Sequence, residues 1–526
     1  MRLVDYLDKG ASLGGDAPCL VCDGRTWTYD EVRDLAGQVA SALVGRGVAP
    51  GEKVAILASN DPVAFTCVFG ISRAGAVWCP INPRNEAAEN RDLLALFECT
   101  TLIFQSSYAG LVDQIRGDLP GVRTYVCLDG SFPWALGWDD FLAFGGEDPQ
   151  VELVETGSRQ ARPTDDLAMI VGTGGTTGRP KGVMLTGTNI ETMTALTLMS
   201  YPWPERPARP TYLALAPLTH AAGVLCFPVL ASGGSVVIMR TPDVGAFLEL
   251  VAAERVTHTF LPPTLIYMVL DHPALETTDL SSLQCFWYGA APMSSRRLEE
   301  ALTRIGPVMA QLFGQTEAPM MISTMSPRDH FRPDGSVAHE RLSSAGRPAP
   351  LVTVSIMDDD GRLLPDGERG EIVVRSSLVM RGYYKNPEAT AEASAHGWHH
   401  TGDIGYLSAE PGDEGFLHIV DRAKDMVITG GFNVYSTEVE QALMAHPAVA
   451  DCAVIGLPDE KWGERLTAVL QLRPGQSVTP EEVQAFVKER IGSVKTPKQV
   501  EVWDDLPRSK VGKVLKTEIK QVLGAS

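Results

Sequence analysis

Short apolar runs alternating with stretches of helical period set the tightest limit on how this chain can fold. KVAILAS (53–59), AVWCPIN (76–82), TLIFQS (101–106), TYVCLD (124–129), TYLALAP (211–217), SVVIMR (235–240) and HTFLPP (258–263) have strand length. They are too continuously apolar to keep one face in water, as strands buried on both faces are. Between them, Tyr29 to Val44 places Leu35, Val39, Leu43 and Val44 on one stripe, with Gly47 near its end. Thr28 and Glu31 have the spacing of a capping box at its start. Residues 62–74 read as a further helix. Strands alternating with helices predict an α/β fold with layered, mostly parallel sheets. The uncharged stretch AAGVLCFPVLASGGSVVIM after His220 is broken by Pro228 and Gly233-Gly234, so it reads as a buried helix and then a strand.

The texture changes after about residue 340. VTVSIMDDDGRLLPDGERGEIVVRS (352–376) is two strand-like runs split by Asp, Gly and Pro turns, which predicts an antiparallel, β-rich subdomain. The charged stretch Asp421 to Lys424 then precedes renewed order. We expect a large N-terminal domain over 1–423 and a small, mobile α+β domain over 424–526, hinged near Lys424.

Charge narrows the partners. The chain carries 45 basic and 65 acidic residues, a net charge of −20, and such a surface repels nucleic acid and anionic lipid. Any polyanion bound here needs a local group of donors strong enough to override that field. Acidic residues within the first ten argue against a secretory signal, so a cytoplasmic protein is expected, with a homodimer as the assembly to test. Nine cysteines, an odd number without regular spacing, predict reduced buried thiols. Cys19 and Cys22 have a metal-like spacing, but no second pair follows.

A group of donors is present in one run: Thr173-Gly174-Gly175-Thr176-Thr177-Gly178-Arg179-Pro180-Lys181-Gly182, directly after an apolar strand. Glycines expose backbone N–H groups and permit positive φ, and the hydroxyls and ammonium add donors, so the run can wrap a polyphosphate. It is not a Walker loop, because Pro180 precedes Lys181 and Gly182 follows it. Taken alone, it also fits a surface turn.

Further blocks follow in order: Tyr288-Gly289-Ala290-Ala291-Pro292, Gln311-Leu312-Phe313-Gly314-Gln315-Thr316-Glu317 and Trp398-His399-His400-Thr401-Gly402-Asp403. Then come Asp421-Arg422-Ala423-Lys424-Asp425, Gly430-Gly431-Phe432-Asn433 and Leu506-Pro507-Arg508-Ser509-Lys510-Val511-Gly512-Lys513. Together with the glycine run, the set resembles the adenylate-forming superfamily of acyl- and aryl-CoA synthetases, amino-acid adenylation domains and firefly-type luciferases, over about residues 20–520. One departure is Gly174, where the family usually has Ser; it keeps the backbone donor and loses a hydroxyl.

The resemblance implies ATP-dependent activation of a carboxylic acid as an acyl-adenylate, then transfer to coenzyme A. Both reactants of the first step are anions, so such a site must neutralise charge and align atoms. Glu317 resembles the family's Mg2+-anchoring carboxylate, with Thr176 beside the metal. Thr176, Thr177 and Thr316 are implied to donate to phosphates. Phe313 is expected against adenine, with Gly289, Ala290 and Ala291 letting the backbone approach the base. Asp403 resembles the ribose-binding carboxylate, assisted by Arg422. Lys513 resembles the lysine that bridges the carboxylate and the α-phosphate. Gly430 and Gly431 match the loop brought in for the second step, and Lys424 matches the hinge. An acid pocket from His220, Ala222, Gly223, Phe227, Gly289, Gly314 and Met320 is implied to be roomy and apolar, suited to medium- or long-chain fatty acids or to aryl or polycyclic ones. His258, Trp462 and His399-His400 carry no assignment, and core or surface roles are expected.

The block Thr219-His220-Ala221-Ala222 lacks the carboxylate that an amino-acid adenylation domain would offer a substrate ammonium. An acyl-AMP ligase delivering to a carrier protein shares the first half-reaction and remains an alternative. A non-catalytic nucleotide-binding regulator would predict loss of Lys513, Glu317 or Asp403, and all three are present.

Overall fold

The computed structural model describes residues 1–145, 166–173, 180–218, 221–422, 425–430, 432–459, 461–508 and 514–524. Gly174, Gly175, Thr176, Thr177, Gly178, His220, Lys424, Gly431 and Lys513 lie outside the described residues.

Two large sheets make most of the molecule. One has nine strands, with a parallel centre formed by Met309–Phe313, Cys285–Gly289, His258–Leu261, Thr211–Ala214, Ser235–Ile238 and Pro18–Cys22. Antiparallel strands close both of its edges. The other has eight strands, in which Val77–Ile81, Lys53–Leu57, Cys99–Phe104 and Thr124–Cys127 run parallel. Every residue of Val77–Ile81, His258–Leu261 and Cys285–Gly289 is buried, which is why these segments are mostly apolar, with His258 and Thr259 as buried polar exceptions. The largest core cluster draws Val54, Ile56 and Trp78 from one sheet and Tyr212, Val236 and Trp287 from the other, with helices Tyr29–Gly45 and Pro62–Arg73 among them.

Local signals behave as expected. Helix Tyr29–Gly45 starts on a closed capping box: Thr28 Oγ1 accepts from Glu31 N at 3.2 Å, and Thr28 N donates to Glu31 Oε2 at 2.7 Å. The apolar stretch after His220 is helix Ala221–Ala231 followed by strand Ser235–Ile238. All nine cysteines are free and buried. Among the described residues no helix is long and apolar enough to cross a membrane.

Thr353–Met357 and Gly370–Arg375 pair antiparallel, and with Leu363–Leu364, His399–Leu407 and Leu417–Arg422 they form a five-stranded sheet. The last sheet, which belongs to the small C-terminal domain, pairs Val449–Asp459 with Gly463–Leu472 antiparallel and Gly463–Leu472 with Gln499–Trp503 parallel. Helices Ser436–Met444 and Pro480–Ile491 supply residues of its core.

Residues 174–179 of the glycine run lie outside the described residues, and its two flanks are strands. Leu167–Thr173 and Lys181–Thr186 are antiparallel neighbours with Thr173 opposite Lys181, so Lys181 and Gly182 are strand residues. A Cβ on Gly182 would lie 2.7 Å from the Phe97 ring, so this glycine is required by packing and is not part of a cradle.

Candidate active site

Strand ends collect the candidates. Thr173, Gly289 and Phe313 are the last residues of Leu167–Thr173, Cys285–Gly289 and Met309–Phe313, and α/β sheets bind ligands at the carboxyl ends of their strands. Beyond Phe313 the chain turns sharply: Gln315 N donates to Ala318 O at 3.0 Å and Ala318 N to Gln315 O at 3.2 Å. That turn presents the half-buried side chains of Gln315, Thr316 and Glu317.

Gln315 joins two of the blocks. Its Nε2 donates to Asp403 Oδ2 at 2.9 Å and to Thr401 O at 2.7 Å. Asp403 is 3% exposed, and its other oxygen, Oδ1, lies 2.7 Å from Arg422 Nε. Antiparallel pairing of His399–Leu407 with Leu417–Arg422 puts Asp403 directly opposite Arg422. Gly402, at φ +68°, turns the strand just before Asp403, and its N–H donates to Glu371 Oε1 at 2.8 Å. The Asp403 carboxylate is thus buried by protein on one side, while Arg422 keeps 42% of its side chain in solvent.

Glu317 joins the site to the flanks of the glycine run. Tyr383 Oη donates to Glu317 Oε1 at 2.8 Å, and Lys181 Nζ lies 4.8 Å from the Tyr383 ring centroid. Burial, reinforced by the Glu317 charge, pushes the Tyr383 phenol well above its ordinary value, so it stays protonated as a donor. His399 Nε2 is 3.4 Å from Gln315 Oε1, and burial lowers its pKa against the opposing pull of Glu317.

Sequence reasoning missed three members of this group. Gln315 was visible as part of a block but carried no role of its own. His399 was expected in the core or at the surface, and it is in fact both buried (4% exposed) and within the site. Tyr383 had no signal at all, because its partner lies 66 residues away.

The remaining candidates divide between site, core and C-terminal domain. Phe227 is fully buried and stacks on Tyr6 at 5.2 Å between ring centroids, so it belongs to the core and not to a pocket wall. The face of its helix that carries it packs against helix Leu3–Ser12. Gly289 and Gly314 are required by backbone crowding: a Cβ would lie 2.4 Å from Leu312 O at Gly289 and 2.3 Å from Met320 N at Gly314. Ala290 and Met320 both hold positive φ, +65° and +63°, a costly conformation for side chains of this kind. Gly430 follows strand Val427–Thr429 as a turn residue at φ +58°, with its N–H on Trp462 O at 2.7 Å. Among the described residues no hydrogen bond joins it to the Gln315 group. His258 is a core histidine, stacked on Trp203 at 4.4 Å and bonded to Pro202 O at 3.0 Å.

Comparison with known proteins gives the family. Residues 7–384 match the model of the AMP-binding enzyme family, and residues 438–513 match the AMP-binding enzyme C-terminal domain. The chain belongs to that family of adenylate-forming enzymes. It is 42% identical to the medium/long-chain-fatty-acid–CoA ligase FadD8 of Mycobacterium tuberculosis, over 96% of this chain and 87% of that one. It is 34% identical to a feruloyl-CoA synthase of Amycolatopsis over 95% of each chain. Among solved structures, the amide bond synthetase McbA of Marinactinospora thermotolerans aligns over 99% of this chain and 100% of its own, with a TM-score of 0.86 at 30% identity.

Proposed function

We propose that the chain is an AMP-forming acyl-CoA synthetase acting on a medium- or long-chain fatty acid, or on an aryl or polycyclic acid of similar size. A carboxylate oxygen attacks the α-phosphorus of ATP; the bond to the β-phosphate breaks, and pyrophosphate leaves. The coenzyme A thiol, giving up its proton, then attacks the acyl carbon, and AMP leaves as the C–O bond breaks.

The reading rests chiefly on Gln315, which holds Asp403 on one side of a turn that presents Glu317 on the other. In this assignment Asp403 and Arg422 take the ribose, and Phe313 with Gly289, Ala290 and Ala291 takes the adenine. Thr173 to Lys181, with Thr316, takes the phosphates. Glu317 Oε1 is oriented by Tyr383, a donor set that suits a hard cation needing one or two carboxylates besides phosphate oxygens and water. Glu317, with Thr176, would hold magnesium, which neutralises phosphate charge. Lys513 guides the incoming carboxylate. The boundary lies between 423 and 424, and rotation about Lys424 exchanges Lys513 for Gly430-Gly431 between the two steps. The names of the fatty-acid and feruloyl relatives support the range of acids.

A panel of carboxylic acids, scored by pyrophosphate release with and without coenzyme A, tests the activity. Release that never yields a thioester would redirect the acceptor to a carrier protein. Lys513→Ala should slow adenylate formation by about 100-fold or more while sparing thioester formation from supplied acyl-adenylate. Equal loss in both steps would remove Lys513 from this role.

A further inference from the structure

Asp403 stands on an irregularity in its strand. Val373 lies opposite His400 and Glu371 opposite Ile404, so Thr401, Gly402 and Asp403 together face the single residue Ile372. Residues bulged out of an antiparallel pair lose their ladder partners, and the bulge re-aims the side chains it carries. Their backbone N–H groups then need acceptors from elsewhere. Here side chains supply them. Asp403 N donates to Thr401 Oγ1 at 3.1 Å, and Thr401 Oγ1 donates to Ile372 O at 2.7 Å. Gly402 N donates to Glu371 Oε1 at 2.8 Å.

Glu371 is itself held. Its Oε2 lies 2.7 Å from His400 Nδ1, and His400 Nε2 donates to Ala395 O at 3.1 Å, so turning either side chain breaks a bond. Gly402 is at φ +68°, and a Cβ there would meet no atom within 4 Å, so its backbone conformation and not crowding calls for glycine. Glu371 thus pins the peptide immediately before Asp403, while Gln315 and Arg422 hold the carboxylate end of the same residue.

We propose that Glu371 is a positioning residue for the nucleotide: by closing the bulge at Gly402 it fixes the direction of the Asp403 carboxylate, and so sets how strongly the enzyme selects a nucleotide that carries ribose hydroxyls. This inference rests on the reading in which Asp403 takes the ribose. A carboxylate accepts from both hydroxyls only while its oxygens face them, because a hydrogen bond weakens steeply once its angle falls below about 120°. Without the Glu371 bond the Gly402 peptide is free to rotate, and the Asp403 side chain turns with it.

Pyrophosphate exchange by the full-length enzyme with an accepted acid, run on ATP and on dideoxy-ATP, which lacks both ribose hydroxyls, tests it. The wild type should prefer ATP in kcat/KM by about tenfold or more, as befits hydrogen bonds to a charged group. Glu371→Ala should cut that preference about fivefold or more by raising KM for ATP, while KM for dideoxy-ATP stays within about twofold. Glu371→Gln keeps an acceptor for Gly402 N and should keep most of the preference. His400→Ala releases the carboxylate from behind and should weaken the preference less than Glu371→Ala does; it also serves if Glu371→Ala does not fold. An equal rise in KM for both nucleotides, or a lower Tm with the preference intact, would overturn the proposal. A wild type that uses both nucleotides equally well defeats the ribose assignment, and this proposal with it. A discriminating wild type whose variants discriminate just as well defeats only the role of Glu371.

Discussion

Two ion pairs show how differently this molecule uses charge. Asp403–Arg422 is one-sided: the Asp403 side chain is 4% exposed and that of Arg422 42%, so one partner is closed off and the other still faces solvent. Glu440–Lys516, in the C-terminal domain, is closed on both sides at 19% and 17%, with 2.7 Å between charges. Each partner is held by a further bond, since Val454 N donates to Glu440 Oε1 at 2.7 Å and Lys516 Nζ to Ser436 Oγ at 2.5 Å. Burial pulls the Lys516 ammonium down, but Glu440 and Asp421 outweigh it and hold its pKa above the ordinary lysine value. Burial also pushes the Glu440 carboxyl up, beyond what Lys516 and the Val454 amide recover. The attraction within the closed pair is largely consumed in offsetting desolvation, so the pair adds little net stability while its rupture is costly. An open pair can serve a ligand. A closed pair serves the fold.

Breaking the closed pair should have the largest effect. Lys516→Met strands a buried carboxylate and should lower unfolding stability by roughly 3–5 kcal/mol, read by urea denaturation at pH 7. Adding Glu440→Gln should restore most of that loss. An unchanged midpoint in the single variant would erase the distinction between the two pairs.

Closed sites should also respond to acid. Burial lowers the pKa of His258 to about 4 and of His330 to about 4 from 6.5. Both are neutral in the fold and protonate more readily once unfolded. Their contribution is therefore complete above pH 6.5 and is lost as pH falls through the window from 6.5 to 4, reaching about 3 kcal/mol each. Denaturation midpoints at pH 7, 5.5 and 4.5 should show that slope, and His258→Phe should flatten part of it. A slope unaltered in His258→Phe would place the acid sensitivity elsewhere.

The open pair should give the smallest structural change and a functional one instead. Asp403→Asn keeps the size of the side chain and removes the charge facing Arg422. KM for ATP should rise about tenfold, with a smaller loss of stability than in Lys516→Met, since Asn still accepts one of the two bonds now made to Asp403. A large loss of stability without change in KM would make this pair structural too.

Legibility in the sequence followed the range of the interactions involved. Helix Tyr29–Gly45, the buried strands and the antiparallel run 352–376 could be read because their signals lie within a few residues of one another. The order of motif blocks pointed to the family, whose models cover residues 7–384 and 438–513. Phe227 was misplaced because an apolar residue on a buried helix looks the same whether it lines a pocket or meets Tyr6. Gly182 was misread for a related reason: a glycine that admits a ring, here Phe97, cannot be told from one that admits a phosphate.

Periodicity, capping and turn residues act over one or two turns of chain, so composition along the chain was enough to determine the α/β layering, the β-rich section and the identity of the polar blocks. The tertiary structure alone decided that Gln315 grips Asp403, that Tyr383 orients Glu317 and that Asn60, after strand Lys53–Leu57, donates to Met239 O, after strand Ser235–Ile238, tying the two large sheets together. Those bonds span 66 to 179 residues, and no local pattern records them. A hydrogen bond needs partners within about 3 Å, and at such separations only the packing of the two sheets brings the atoms that close.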